Sequence, residues 1–332
     1  MTSLPIGIQA NGIRHRASDP PPDILDQFKM VRDCGLFDYV EKTPGPDEVD
    51  SYLRAADHTG IPLRCGGWYY TLGRDEGLLR DHLDLAGRCG MALHNIQVLA
   101  TDAAGRPVDD ARLVEAYVQA MDRAADIGVE IAFEVHVNMW SEDFRRVAPV
   151  ARAVEARGRP FRLTLDHSHV IFKIDHPEEQ EVGGIREDVE AGKLVLDPDL
   201  PGAVTTQWIE ANWVAHAHAR PVIPNNPRNW AFLDADGRPG RGIQYPFAAP
   251  PDGAFDGPWQ GDRLTPWKRV IRQLLDWHAQ RPDSPLGQIT TEYIPGPDYG
   301  AGTRYSLFEQ SQACAAWLRE EWRLRAADGT DG

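Results

Sequence analysis

The stretch IAFEVH, residues 131–136, reads as a short buried strand whose C-terminal end carries a carboxylate, Glu134, and an imidazole, His136. Three later stretches repeat the pattern. LTLDHSH (163–169) brings Asp166 and His169, VAHAHAR (214–220) brings His216, His218 and Arg220, and ITTEYI (289–294) brings Glu292. Burying an unpaired charge is costly, so charged groups at the ends of apolar strands need a purpose. Three carboxylates and an imidazole converging on one point make a hard divalent-cation site, of the Mn²⁺, Mg²⁺ or Co²⁺ kind.

Outward from these four stretches, strand-like and helix-like segments alternate along nearly the whole chain. Strands are expected over 5–11, 37–43, 62–69, 93–100, 130–137, 162–170, 213–220 and 288–294. Between them lie amphipathic patterns over 23–34, 47–58, 76–89, 109–127, 144–156, 262–280 and 304–325, several of them stopped by a glycine such as Gly60 or Gly128. Repeated strand-then-helix units imply parallel strands with right-handed crossovers. Eight such units predict a (β/α)8 TIM barrel, which places functional residues at the strand C-termini. A single domain is expected over 1–325, with a disordered tail over 326–332. Two long loops interrupt the pattern, after the sixth and seventh strands. The second, 221–266, is rich in Pro, Gly and aromatics, and reads as an ordered excursion over the barrel mouth.

Composition narrows the function. The chain has 332 residues, 42% hydrophobic and 26% charged, with a formal net charge of -15. Such an acidic balance argues against nucleic acid or an anionic membrane as partner. No apolar run approaches the ~20 residues of a membrane span, and the first residues do not read as a signal peptide. Cys34, Cys65, Cys89 and Cys314 are scattered without a C-x-x-C pair, which fits a reducing cytoplasm.

Side chains two apart on a strand share a face. Glu134 and His136 therefore point into the barrel together, as do His216, His218 and Arg220. The chain must leave the strand between Asp166 and His169, which puts His169 on the rim. His167 should face away from the interior, and His216 reads as a packing or supporting residue. Trp68 and Trp140 sit where an aromatic wall could lie under a sugar.

The order of motifs resembles the xylose-isomerase-like TIM barrels of the sugar phosphate isomerase/epimerase superfamily, which includes ketose 3-epimerases and the catalytic subunits of C-glycoside deglycosidases. That group shows a Glu after the fifth strand, D-x-x-H after the sixth, H-x-H after the seventh and a Glu after the eighth. The resemblance implies Glu134, Asp166, His218 and Glu292 as ligands of a divalent metal, Mn²⁺ first, with His169 and Arg220 holding a substrate oxygen. It implies proton abstraction beside the carbonyl of a keto sugar through a metal-stabilised enediolate, giving isomerisation or epimerisation. The base would be His136, Glu134 or Glu292. The epimerases keep a second Glu a few residues beyond the fifth-strand ligand, where this chain has Met139, Trp140 and Ser141. The Glu-x-His at 134–136 is instead like the lyase members, so β-elimination, by a deglycosidase or a dehydratase, is the alternative. A non-enzymatic sugar-binding barrel is a further one. The expected partner is a small sugar or glycoside, with either a homo-oligomer or, for a deglycosidase, a small partner subunit.

Overall fold

The computed structural model describes residues 4–225 and 228–328. Seven parallel strands come first: β1 (Ile6–Gln9), β2 (Tyr39–Glu41), β3 (Leu63–Tyr70), β4 (Leu93–Val98), β5 (Glu130–Glu134), β6 (Leu163–Leu165) and β7 (Val214–Ala219). A small hairpin, β8 (Asn229–Leu233) and β9 (Pro239–Gly240), precedes the last, β10 (Gln288–Thr291). Around the closed barrel the order is β1-β10-β7-β6-β5-β4-β3-β2, so every neighbouring pair but β1–β10, which closes the barrel, joins strands consecutive along the barrel chain. All eight expected barrel strands are present. Most are shorter than their apolar runs, because the backbone leaves the ladder where the polar side chains begin. β5 stops at Glu134, and β6 stops one residue before Asp166.

The helices pack their apolar stripes on this barrel. α1 (Ile24–Cys34) buries Phe28 and Val31, α2 (Val49–Thr59) buries Tyr52 and Ala55, and α3 (Glu76–Arg88) buries Leu79 and Leu83. α4 (Asp110–Ile127) and α5 (Val147–Ala156) follow in the same way. Gly60 and Gly128 end α2 and α4 with φ of 75° and 73°, a left-handed conformation that costs glycine little.

Four short helices occupy the segment after β6: α6 (Ser168–Ile171), α7 (Pro177–Val182), α8 (Arg186–Glu190) and α9 (Val204–Glu210). The sequence pattern reads as a long loop here, because helices of four to seven residues leave too little periodicity to show. α10 (Thr265–Gln280) and α11 (Leu307–Asp328) close the ring. α11 carries helix past the expected end at 325, so 326–328 are helical rather than a disordered tail; 329–332 lie outside the described residues. Among the described residues no helix is long and apolar enough to cross a membrane, and all four cysteines are free.

The excursion over 221–266 is ordered around Tyr245, which is buried and packs on Phe255 with ring centroids 5.2 Å apart. It sits beside the barrel mouth, clasping the loop that follows β10. Asn229 Nδ2 donates to the Pro297 carbonyl (3.1 Å) and the Ala301 carbonyl (2.9 Å), and the Ile243 amide donates to the Asp298 carbonyl (2.7 Å). Arg241 reaches inward to Glu142 at 3.0 Å and to Glu179. A Cβ at Gly240 would collide with the Pro297 carbonyl. Gly240→Ala should therefore force the hairpin away from that loop and lower stability by about 1–3 kcal/mol. A fall in Tm with unchanged far-UV circular dichroism checks this.

Candidate active site

Each predicted donor enters the barrel mouth from a different strand. Glu134 is the last residue of β5, Asp166 follows β6, His218 lies one residue before the end of β7, and Glu292 follows β10. All four are buried, and one donor atom from each lies within 4.8 Å of every other.

Hydrogen bonds saturate some oxygens and leave others facing the centre. Asn95 and Gln97, two apart on β4, both donate to Glu134 Oε2, Gln97 at 2.5 Å. Glu134 Oε1 is left toward His218 Nδ1, 3.0 Å away. Ser168 donates its amide (3.1 Å) and its hydroxyl (2.5 Å) to Asp166 Oδ1. This side-chain turn starts α6 and folds His169 back, so that His169 Nε2 lies 3.1 Å from Asp166 Oδ2. Arg220, fully buried, donates through Nη2 to Asp166 Oδ2 and, at 2.9 Å, to Glu292 Oε2.

The charges are uneven. Glu41, Glu134, Asp166 and Glu292 are buried together, and Arg220 is their one permanent cation among the described residues. Burial pushes the Glu292 carboxyl up, with Asp166 and Glu134 adding to it against Arg220 and His218, and it reaches about 7. Burial alone would lower the His218 imidazole, but Glu292, Glu41 and Glu134 hold it well above its ordinary value. Burial likewise opposes ionisation of Glu134, yet His218 outweighs it and brings that carboxyl to about 2. An excess of buried negative charge around oxygen and imidazole donors is what a divalent cation neutralises, so the residues present fit such an ion.

His136 lies just past β5, partly buried, with its ring centroid 4.1 Å from that of His169. Its Nδ1 is 2.6 Å from the Val137 carbonyl. A carbonyl only accepts, so Nδ1 carries the hydrogen and Nε2 keeps its lone pair. That nitrogen faces the Tyr299 hydroxyl at 3.2 Å. Burial holds His136 below its ordinary pKa, against the pull of Glu134.

A cavity of about 360 Å³ opens over the cluster, walled by Trp68, Asn95, Gln97, His136, His218, Glu292 and Tyr299 among others. A larger cleft, about 990 Å³, lies between α1 and α2 and holds none of the four donors. Chemistry, not size, therefore places the site at the barrel mouth. No described residue of the excursion is in the wall of the mouth cavity, so it lies beside the mouth rather than over it, held to the loop bearing Tyr299.

The two aromatic expectations separate. Trp68 is 39% exposed and stacks on Tyr69 at 5.3 Å in the cavity wall. Trp140 is corrected: it is 1% exposed, packed edge-on against Phe133 at 5.5 Å, and cannot meet a substrate. A tight turn over Trp140–Glu142 swings it into the layer between barrel and helices. His167 also faces that layer, stacked on Trp267, and His216 sits deeper in the barrel, 2.9 Å from the Thr290 hydroxyl. Sequence reasoning missed Glu41, Asn95, Gln97 and Tyr299. Glu41 ends β2 just as Glu134 ends β5, and Asn95 and Gln97 alternate on β4, so a signal was there for three of them. Tyr299 is in a loop and had none.

A family model for the xylose isomerase-like TIM barrel matches residues 28–194, half of the chain. The chain belongs to that family. Among solved members of similar fold are an L-ribulose 3-epimerase (11% identity over 99% of this chain and 97% of that one, TM-score 0.59) and a D-allulose 3-epimerase from Methylomonas sp. (15%, 98% and 99%, 0.55). A xylose isomerase-like TIM barrel protein from Mycobacterium smegmatis, in complex with magnesium, is similar too (13%, 98% and 99%, 0.55). At these identities the likeness is one of fold. No curated protein sequence matches the chain.

For this xylose isomerase-like barrel the two tryptophans should behave oppositely. Trp140→Ala should cost about 3–5 kcal/mol of stability without altering the affinity of folded protein for substrate. Trp68→Ala should leave Tm unchanged and raise KM several-fold. Thermal melts beside steady-state kinetics would show it.

Proposed function

We propose that this protein is a divalent-metal-dependent enzyme of the sugar isomerase/epimerase type, moving the proton next to the carbonyl of a neutral keto sugar. One observation carries the reading. Four side chains able to hold an ion and an imidazole nitrogen that keeps its lone pair meet at a single mouth on the C-terminal side of the barrel. The epimerase neighbours and the magnesium held by the Mycobacterium smegmatis barrel support it.

Glu134, Asp166, His218 and Glu292 would hold the ion, with Mn²⁺ the species expected. When bound, a divalent cation supplies Lewis acidity to carbonyl and hydroxyl oxygens of the sugar. The remaining work falls to the chain. Arg220 and His169 are fully buried behind the cavity wall, so they act on the substrate only through Asp166 and Glu292, which they hold in place. Trp68 offers an apolar face to the C–H side of the ring. His136 Nε2 takes the carbon-bound proton as general base, and the Tyr299 hydroxyl beside it can share that proton.

Elimination is the second reading, favoured by the fate of the segment after β5. Trp140 is buried there, and Glu142, the next carboxylate, is tied to Lys173 at 2.9 Å and to Arg241 at 3.0 Å. That segment brings no second glutamate to the mouth, which leaves proton movement to His136 and Tyr299. Loss of a β-substituent would then follow the same first proton abstraction.

Two variants test the site. Asp166→Ala should lose bound metal and turnover together, and full metal occupancy by elemental analysis would overturn the assignment. His136→Ala should keep its metal yet lose solvent-deuterium exchange at the acidic carbon of the substrate, read by NMR in D₂O with a panel of ketohexoses, inososes and 3-keto glycosides. The structure of the product decides between isomerisation and elimination. Exchange at the native rate would move the base to Glu134 or Glu292.

A further inference from the structure

His218 is the one imidazole among the four donors, and its two nitrogens face opposite ways. Nδ1 looks into the cluster, 3.0 Å from Glu134 Oε1 and 3.2 Å from Glu292 Oε2. Nε2 looks back across the barrel to Glu41 Oε1 at 2.9 Å. Glu41 ends β2, two strands beyond β10, the neighbour of β7, and is 4% exposed.

A carboxylate oxygen accepts hydrogen bonds, so the contact with Glu41 calls for a hydrogen on Nε2. Nδ1 faces carboxylate oxygens too, so with no ion present it carries a hydrogen as well; a cation among the donors would take the place of that hydrogen, while the contact with Glu41 keeps the one on Nε2. Cys65 and Thr290 lie beside the Glu41 carboxylate as well as the two histidines, but neither carries a fixed positive charge. No lysine or arginine pairs with it; its ion-pair partners are His218 and, at 3.5 Å, His216. A buried carboxylate whose charge is spent on two imidazoles is doing something to those imidazoles.

We propose that Glu41 is a positioning residue: it fixes the tautomer and ring orientation of His218, so that Nδ1 is the nitrogen offered to the metal. The role rests on the metal reading of the Glu134, Asp166, His218 and Glu292 cluster. It brings β2 into the site without touching the ion, as Asn95 and Gln97 bring β4.

The test is Mn²⁺ binding to the full chain by isothermal titration calorimetry, for the wild type, Asp166→Ala, Glu41→Gln and Glu41→Ala. Glu41→Ala should weaken Mn²⁺ about 10–100-fold, as losing an outer partner of a metal-bound histidine does. Glu41→Gln keeps an oxygen to accept from Nε2–H, so it should recover part of that loss; it is also the isosteric variant to read if Glu41→Ala does not fold. A second readout is specific to the tautomer. In ¹⁵N-histidine-labelled protein loaded with Mg²⁺, His218 should show one form, with hydrogen on Nε2, in the wild type, whereas Glu41→Ala should show a second form with the ring turned and hydrogen on Nδ1. Wild-type affinity and an unchanged His218 spectrum in both Glu41 variants, with Asp166→Ala unable to bind, would overturn the role of Glu41 alone. A wild type that binds no Mn²⁺, or an Asp166→Ala that binds as well as wild type, would overturn the metal reading and this role with it.

Discussion

Four carboxylates share one water-poor barrel mouth with one arginine, and most of the local structure answers that imbalance. Glu41, Glu134, Asp166 and Glu292 come from four strands, and Arg220 can neutralise only part of their charge. Two of the carboxylates have one oxygen saturated by neutral donors: the Asn95 and Gln97 amides on Glu134, and the Ser168 amide and hydroxyl on Asp166. These donors hold Glu134 and Asp166 each in one rotamer and turn the other oxygen to the centre. Such preorganisation is costly for a core and useful for a site that must bind an ion in one geometry.

A closed barrel can hold such an arrangement because its register leaves little freedom. Thr290 pairs with His218 and Gln288 with His216, so side chains on alternate positions of β7 fall into separate layers. His216 belongs to the lower layer, against Cys65 and Thr290, and His218 to the upper one with the carboxylates. A one-residue slip of β7 would take both histidines out of the interior. The layering explains why two neighbouring histidines of the same motif have such different surroundings.

Much of this was legible in the sequence, for the reason that strand periodicity is rigid. Eight apolar runs gave eight barrel strands, and the polar residues ending four of them met at one point. Where reasoning from spacing failed, the chain had left the strand. Trp140 lies six residues beyond Glu134, past a tight turn, and the alternation that placed His136 no longer applies to it. The helices after β6 are short, and their stability comes from contacts that no local pattern announces; the buried Trp208 anchoring α9 is an example. Glu41 was readable by the rule that found Glu134. Its strand, β2, is only three residues long and carries no second ligand-type residue to make a motif with it.

The excursion after β7 shows how a segment can shape a site from outside it. Asn229 and Ile243 hold the loop after β10 by its backbone carbonyls, and that loop carries Tyr299. Tyr299 in turn lies over Arg220, 4.4 Å from the guanidinium to the ring centroid, while its hydroxyl meets His136. One ring therefore covers the cation that balances the carboxylates and touches the imidazole beside them. Its position depends on hydrogen bonds made on the far side of the loop. Changes in the excursion can thus reach the His136 imidazole without any described excursion residue entering the cavity wall, which is a physical reason for a barrel to carry so long an insertion beside its mouth.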